Sequence, residues 1–178
     1  MPRSRRPIVF SLALLIGCAA FAGEPRAQGE GQPSLVGQYG SWGVYAGKNN
    51  GHKICFALAQ PESSQTDPPN RPRDPIYLFV STRPADNVRE EVSVIVGYPL
   101  RRGTDASAEI DGAKFDLMTQ DDNAWVKNAA DEPRLVEAMR KGSKMIVRGV
   151  STRGTKTTDN FSLTGVSQAL DRVAQECR

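Results

Sequence analysis

The sequence carries a single histidine, His52, which excludes a multi-histidine metal centre within one chain and obliges any histidine-dependent triad to use that residue. It follows Asn49-Asn50-Gly51, a tight-turn signal because Asn and Gly tolerate the positive φ such a turn needs. His52 is therefore expected at an exposed hairpin tip, without a catalytic role. Asp121 and Asp122 adjoin Trp125, a grouping that in a glycosidase would set paired carboxylates beside a sugar. Neighbouring side chains of an extended chain point to opposite sides, so the pair reads as a turn beside a core tryptophan. The sequence shows no Gly-x-Gly-x-x-Gly motif, phosphate loop, C-x-x-C pair or metal-ligand cluster. No catalytic residue, metal or cofactor is assigned, and a hydrolase is the minority reading.

The strongest polar feature is a basic run, Arg140, Lys141, Lys144, Arg148, Arg153 and Lys156, with no acidic residue from Ala138 to Thr158. Part of it is expected on a strand and its turn, where a hairpin gathers charge into a patch that attracts anions such as lipopolysaccharide phosphates or cell-wall polymers. The alternative is a solvated edge strand that uses Lys and Arg to block aggregation.

These side chains need elements to hold them. Short β-prone runs cover 41–46, 53–60, 76–82, 91–97, 106–110, 113–119, 144–152 and 157–163, rich in Val, Ile, Tyr and Phe. Asp111-Gly112 is a second hairpin dipeptide, and it sets Ala108 and Ile110 on one face with Ala113, Phe115 and Leu117. A helix is expected after Asp131, with Asp131 as cap, Pro133 in its first turn, Leu135, Ala138 and Met139 on one face, and Gly142 past its end. Ser167 is expected to cap the last helix, where Leu170, Val173, Ala174 and Cys177 form an apolar stripe. The fold class is mainly β: an antiparallel sandwich or barrel of about eight strands with two short helices near the C-terminus. Residues 61–75 contain five prolines, which remove ladder donors and bar a helix. That segment is expected to be disordered, with a partner-binding flap as the alternative.

Residues 1–22 read as a signal peptide: Arg3, Arg5 and Arg6, then the apolar run from Ile8, then Ala20-Phe21-Ala22 as a cleavage site. Leu15-Ile16-Gly17-Cys18 also looks like a lipobox, in which Cys18 carries lipid and tethers the protein to a membrane. Residues 23–38 read as a flexible lead-in and 39–178 as one domain. The 23 Lys and Arg residues exceed the 20 Asp and Glu, but Arg3, Arg5 and Arg6 leave with the signal, so the exported chain holds 20 of each sign and no net charge. No nucleic-acid partner is therefore expected. Export also leaves Cys55 and Cys177 as an even pair, which reads as a disulfide in an oxidising compartment. It would close a loop of about 120 residues, worth up to ~4–5 kcal/mol on the chain-entropy model; two buried free thiols are the alternative.

An ordered set of segments resembles the invasion-associated locus B family, small exported proteins of alphaproteobacteria. The set runs from Trp42-Gly43-Val44-Tyr45 and Lys53-Ile54-Cys55-Phe56-Ala57 through Glu91-Val92-Ser93 with Gly97-Tyr98-Pro99, Ile110-Asp111-Gly112 and Ala124-Trp125. It continues with Leu135-Val136-Glu137-Ala138-Met139, Lys141-Gly142, Ser151-Thr152-Arg153-Gly154-Thr155, Thr158-Asp159, Phe161-Ser162-Leu163, Gly165, Ala169-Leu170 and Cys177. Many members of that family have a cysteine just after the tryptophan strand, where this chain has Ala46; its first cysteine after the signal is instead Cys55. The resemblance implies a non-enzymatic invasion-associated or envelope accessory factor, in the periplasm or at the outer membrane, with an envelope or host protein as partner; the basic run adds an anionic polymer as a candidate partner. It implies no catalytic residues. A small-ligand or glycan-binding β-barrel is the alternative function, and it would need a deep apolar or aromatic-lined cavity.

Overall fold

The computed structural model describes residues 32–104 and 106–178. The signal segment, Cys18 and lead-in residues 23–31 lie outside the described residues. The strands are β1 (Ser34–Tyr39), β2 (Trp42–Asn49), β3 (His52–Ala59), β4 (Ser63–Asp67), β5 (Tyr77–Arg83), β6 (Val88–Ile95), β7 (Ala106–Ile110), β8 (Ala113–Gln120), β9 (Asn123–Val126), β10 (Lys144–Val150) and β11 (Lys156–Ser162). Helix α1 (Glu132–Lys141) lies between β9 and β10, and α2 (Val166–Glu176) follows β11. All strand pairs are antiparallel, in a single sheet ordered β1-β2-β3-β5-β6-β9-β8-β7-β10-β11-β4.

The class matches the sequence pattern, but among the described residues the sheet has eleven strands. The additional ones are β1 (SLVGQY), β4 (SSQTD) and β9 (NAWV), which are short or polar. Strand formation there follows from pairing with a neighbour more than from propensity. Residues 34–38, expected within a flexible lead-in, instead form most of β1, in register with β2 from Ser34↔Ala46 to Tyr39↔Trp42. The hairpins fall where the turn chemistry puts them. Asn50 and Gly51 have φ of 50° and 80°, and Asp111 and Gly112 of 48° and 84°, the left-handed pair that a two-residue type I′ turn requires.

Alternation turns one face of each long strand inward: Cys55, Ala57 and Ala59 on β3, Leu78 and Val80 on β5, Met145 and Val147 on β10. The sheet curls until its ends approach. The indole N–H of Trp42 on β2 donates to the Ser162 carbonyl on β11 at 3.0 Å, fully buried. The enclosed side chains form one core, with Trp42, Phe161, Leu78, Ile110 and Met145 among the largest completely buried. Helix α2 packs Val166, Ala169, Leu170 and Val173 onto this core beside β1, β2 and β3. Cys177, immediately after it, is disulfide-bonded to Cys55. Ala46 is the cross-strand neighbour of Cys55. A cysteine at the family's usual place would thus stand beside the one this chain uses.

Several local expectations need correction. Trp125 is only half-buried and faces outward between Ser93 and Met118, so the core tryptophan is Trp42. Asp131 makes no side-chain cap; it pairs with Arg134 at 2.5 Å instead, while the Asn128 side chain accepts from the Ala130 N–H at 3.1 Å. Gly142 ends α1 with an ordinary φ of −79°. Ser167 lies inside α2, and its hydroxyl donates to the Arg140 carbonyl at 3.1 Å, joining the two helices. Ala174 is exposed.

Candidate functional site

The Pro-rich segment 61–75, expected to be disordered, is ordered, because it carries its own anchor. Its first part is β4, an edge strand paired with β11 from Ser63↔Asn160 to Asp67↔Lys156. Its second part turns Arg73 inward. The guanidinium donates to both carboxylate oxygens of Asp159, each at 2.7 Å, and to the Val96 carbonyl at 3.1 and 2.7 Å. It also lies 4.9 Å from the centre of the Tyr98 ring. Asp159 is 0% exposed and the Arg73 side chain 8%. A charge pair so buried persists only when its remaining donors and acceptors are satisfied, and the Val96 carbonyl supplies that partner.

Gly97 makes room for the segment. Its φ is +72°, and a Cβ there would run into the Asp74 carbonyl oxygen. The Asp74 N–H in turn donates to the Gly97 carbonyl at 3.0 Å. Beyond it, the Thr152 N–H donates to Pro99 O at 3.0 Å and the Arg101 N–H to Val150 O at 2.9 Å, which ties the 97–101 loop to the β10–β11 turn.

These contacts bring the 66–75 segment, the 97–101 loop and the 151–155 turn together at one end of the barrel. Between them lies an open cleft of about 690 Å³. Its lining carries the hydroxyls of Thr66, Tyr98, Ser151, Thr152, Thr155 and Thr157. Arg71 and Arg153 project at its rim, both exposed. The Arg101 guanidinium lies over Gly154, in the space a side chain there would fill. Burial pushes the Tyr98 hydroxyl above the ordinary tyrosine range, against the opposing hydrogen bond with Thr157 at 2.6 Å. Tyr98 is thus a neutral hydrogen-bonding group at neutral pH. A wider hollow of about 940 Å³ lies along β4, is more open to solvent, and shares Thr66, Arg71, Arg73 and Asp74 with the cleft.

The basic run does not form one patch. Strand β10 separates Lys144 from the far turn by roughly 20 Å at ~3.3 Å per residue. At the near end Arg140 donates to Glu90 at 2.9 Å, Asp171 at 3.0 Å and Ser167 O at 3.3 Å. Burial opposes its charge, yet the bonds to Glu90 and Asp171 prevail and its pKa is raised. Lys141 pairs with Glu137 at 2.6 Å, and Arg148 with Glu109 at 2.6 Å. Lys144 is exposed at the start of β10. Only Arg153 and Lys156 of the run stand at the cleft end. Arg71 and Arg101, which no motif marks, and Tyr98, which the sequence shows only as part of the family-like segment Gly97-Tyr98-Pro99, join them there from distant parts of the chain. One signal for the anchor was present: Asp159 alternates with Thr157 and Phe161 on the inward face of β11, and an inward acid demands an inward cation.

His52 is exposed at the β2–β3 hairpin, opposite Asn49. Asp121 and Asp122 form the β8–β9 turn, and their carbonyls accept the Leu100 N–H at 2.7 Å and the Val96 N–H at 2.9 Å. They support the cleft loop through the backbone. Among the described residues, no group of three or more His, Cys, Asp or Glu could hold a metal ion. No helix among them is long and apolar enough to cross a membrane.

A family model described as "Invasion associated locus B (IalB) protein" matches residues 42–174. Among solved structures, invasion associated protein B from Bartonella henselae is similar, with a TM-score of 0.56 at 20% identity, covering 80% of this chain and 96% of that one. That likeness is one of fold. No curated protein sequence matches.

Proposed function

The chain belongs to the invasion associated locus B (IalB) family, and from that premise we propose that it is an exported, non-enzymatic invasion-associated or envelope accessory factor, acting by binding a protein or cell-surface partner in the periplasm or at the outer membrane. The observation that carries this reading is where the molecule offers space. Its interior is filled by Trp42, Phe161, Leu78, Met145 and their neighbours, whereas an open, hydroxyl-lined cleft with arginines at its rim lies at one end. A ligand-carrying barrel would instead keep its cavity inside. The Cys55–Cys177 bond supports an oxidising compartment.

The test is fractionation followed by sedimentation. The protein should be recovered from the periplasm or outer membrane with Gly23 at its N-terminus, or with acylated Cys18 if the lipobox is used. Once purified, it should co-sediment with isolated envelopes. Recovery from the cytoplasm, or no binding to envelopes, overturns the proposal.

A further inference from the structure

We infer that the cleft between the 66–75 segment and the 151–155 turn binds an anionic glycan, one whose sugars carry phosphate or carboxylate groups; this deepens the binding role proposed above and rests on it. Three observations converge. Arg71 and Arg153 line the cleft and Arg101 lies against Gly154 of its wall, with Arg102 and Lys156 next to them on the same loop and turn, and none of the five pairs with an acid among the described residues. Elsewhere most arginines do find acids: Arg83, Arg134, Arg140, Arg148 and Arg172 are ion-paired, Arg89 and Arg178 being the exceptions among the described residues. Among the described residues, the acids near the cleft are Asp159, already spent on Arg73, Asp74 in the lining, Asp67 across from Lys156, and Asp121 and Asp122 of the turn that supports the 96–100 loop. Within the lining itself Arg71, Arg73 and Arg153 face the single acid Asp74, so cations exceed acids there.

The remaining lining consists largely of hydroxyls, which exchange hydrogen bonds with sugar hydroxyls while the guanidinium groups take phosphate or carboxylate oxygens in charge-assisted pairs. Stacked nucleobases would need an open aromatic platform, and the one ring in the cleft, Tyr98, packs against the Arg73 guanidinium. The volume, about 690 Å³, falls within the roughly 300–1,000 Å³ of small-ligand clefts.

The probe is a fluorescent heparin oligosaccharide, titrated into the processed protein by anisotropy, with neutral dextran as control. A phosphorylated lipopolysaccharide core and a polygalacturonate oligomer separate phosphate from carboxylate recognition. Wild type should bind the anionic probes in a salt-sensitive manner. The Arg71→Glu, Arg101→Glu, Arg153→Glu triple variant should lose roughly tenfold or more. Lys141→Glu with Lys144→Glu, at the other end, should bind as wild type. Equal binding of dextran or of a DNA oligonucleotide, unchanged affinity of the cleft variant, or equal loss in both variants overturns the inference. Amide shift mapping of wild type guards against a triple variant that fails to fold: heparin-induced shifts must concentrate at Gly97–Tyr98 and Ser151–Gly154, and shifts elsewhere overturn it too. Envelope sedimentation that survives such a result leaves the broader role standing, whereas loss of sedimentation in wild type removes both.

Discussion

Replacing Arg73 by Met tests whether the Pro-rich segment owes its order to one buried charge. The substitution keeps most of the aliphatic stem but strands Asp159, which is 0% exposed, and leaves the Val96 carbonyl without the donors now 2.7 and 3.1 Å away. Removing one member of a buried pair costs about 3–5 kcal/mol, a large share of the ~5–15 kcal/mol that holds a domain folded. Asp159→Leu alone should cost a similar amount, because a guanidinium that is 8% exposed then lacks its anion. The Arg73→Met, Asp159→Leu double variant removes both charges together. It should lose only the unpaired Val96 carbonyl, about 1–3 kcal/mol, so the two substitutions are strongly non-additive. Urea unfolding followed by tryptophan fluorescence reads the effect. At a slope of ~2 kcal/mol/M, each single variant should shift the midpoint down by roughly 1.5–2.5 M, and the double variant by about 0.5–1.5 M. A single-variant loss under ~1 kcal/mol, or simple addition in the double, would refute the claim that the pair anchors the segment.

Other outcomes follow from the same geometry. Gly97→Ala forces a side chain into a φ of +72° and against the Asp74 carbonyl; it should cost at least ~1–2 kcal/mol and weaken heparin binding by displacing the cleft wall, and unaltered binding would count against that wall. Opening the Cys55–Cys177 bond, which spans a sequence separation of 122, by Cys55→Ala with Cys177→Ala should remove about 4–5 kcal/mol; denaturant curves that coincide with wild type would contradict it. Burial raises the Glu132 carboxyl above its usual range, against the opposing bond from the Val92 N–H at 2.5 Å. A raised folded-state pKa favours the fold while the group is protonated, and that contribution fades as pH rises through the raised value. Glu132→Gln keeps the acceptor and abolishes the titration, so its stability relative to wild type should improve from pH 3.5 to 7.5. Thermal melts giving a constant difference across that range would exclude this linkage.

The sequence by itself determined what depends on neighbours along the chain. Asn50-Gly51 and Asp111-Gly112 dictate their hairpins through backbone conformation, and alternation in 106–117 sorts Ala108, Ile110, Phe115 and Leu117 inward before any partner strand is known. The helical stripe Leu170, Val173 and Cys177 is equally local, and cysteine parity, once the signal reading sets Cys18 aside, pointed to the Cys55–Cys177 pair that the structure shows. Strands β1 and β4 were not legible, because their composition argues for loop and only a pairing edge makes them strands. The site was less legible still. A run of cations in sequence suggested one patch, but β10 carries its members to opposite ends of the barrel, and Glu90, Glu109, Glu137 and Asp171 neutralise half of them. The cleft instead joins Arg71, Arg101 and Arg153, which no spacing rule connects. The order β10-β11-β4 and the inward Arg73 bring them together. Local patterns are set by φ and by side-chain periodicity, which act over a few residues. Which charges meet and which stay unpaired is set by strand order and burial, and these exist only once the whole sheet has closed around its core.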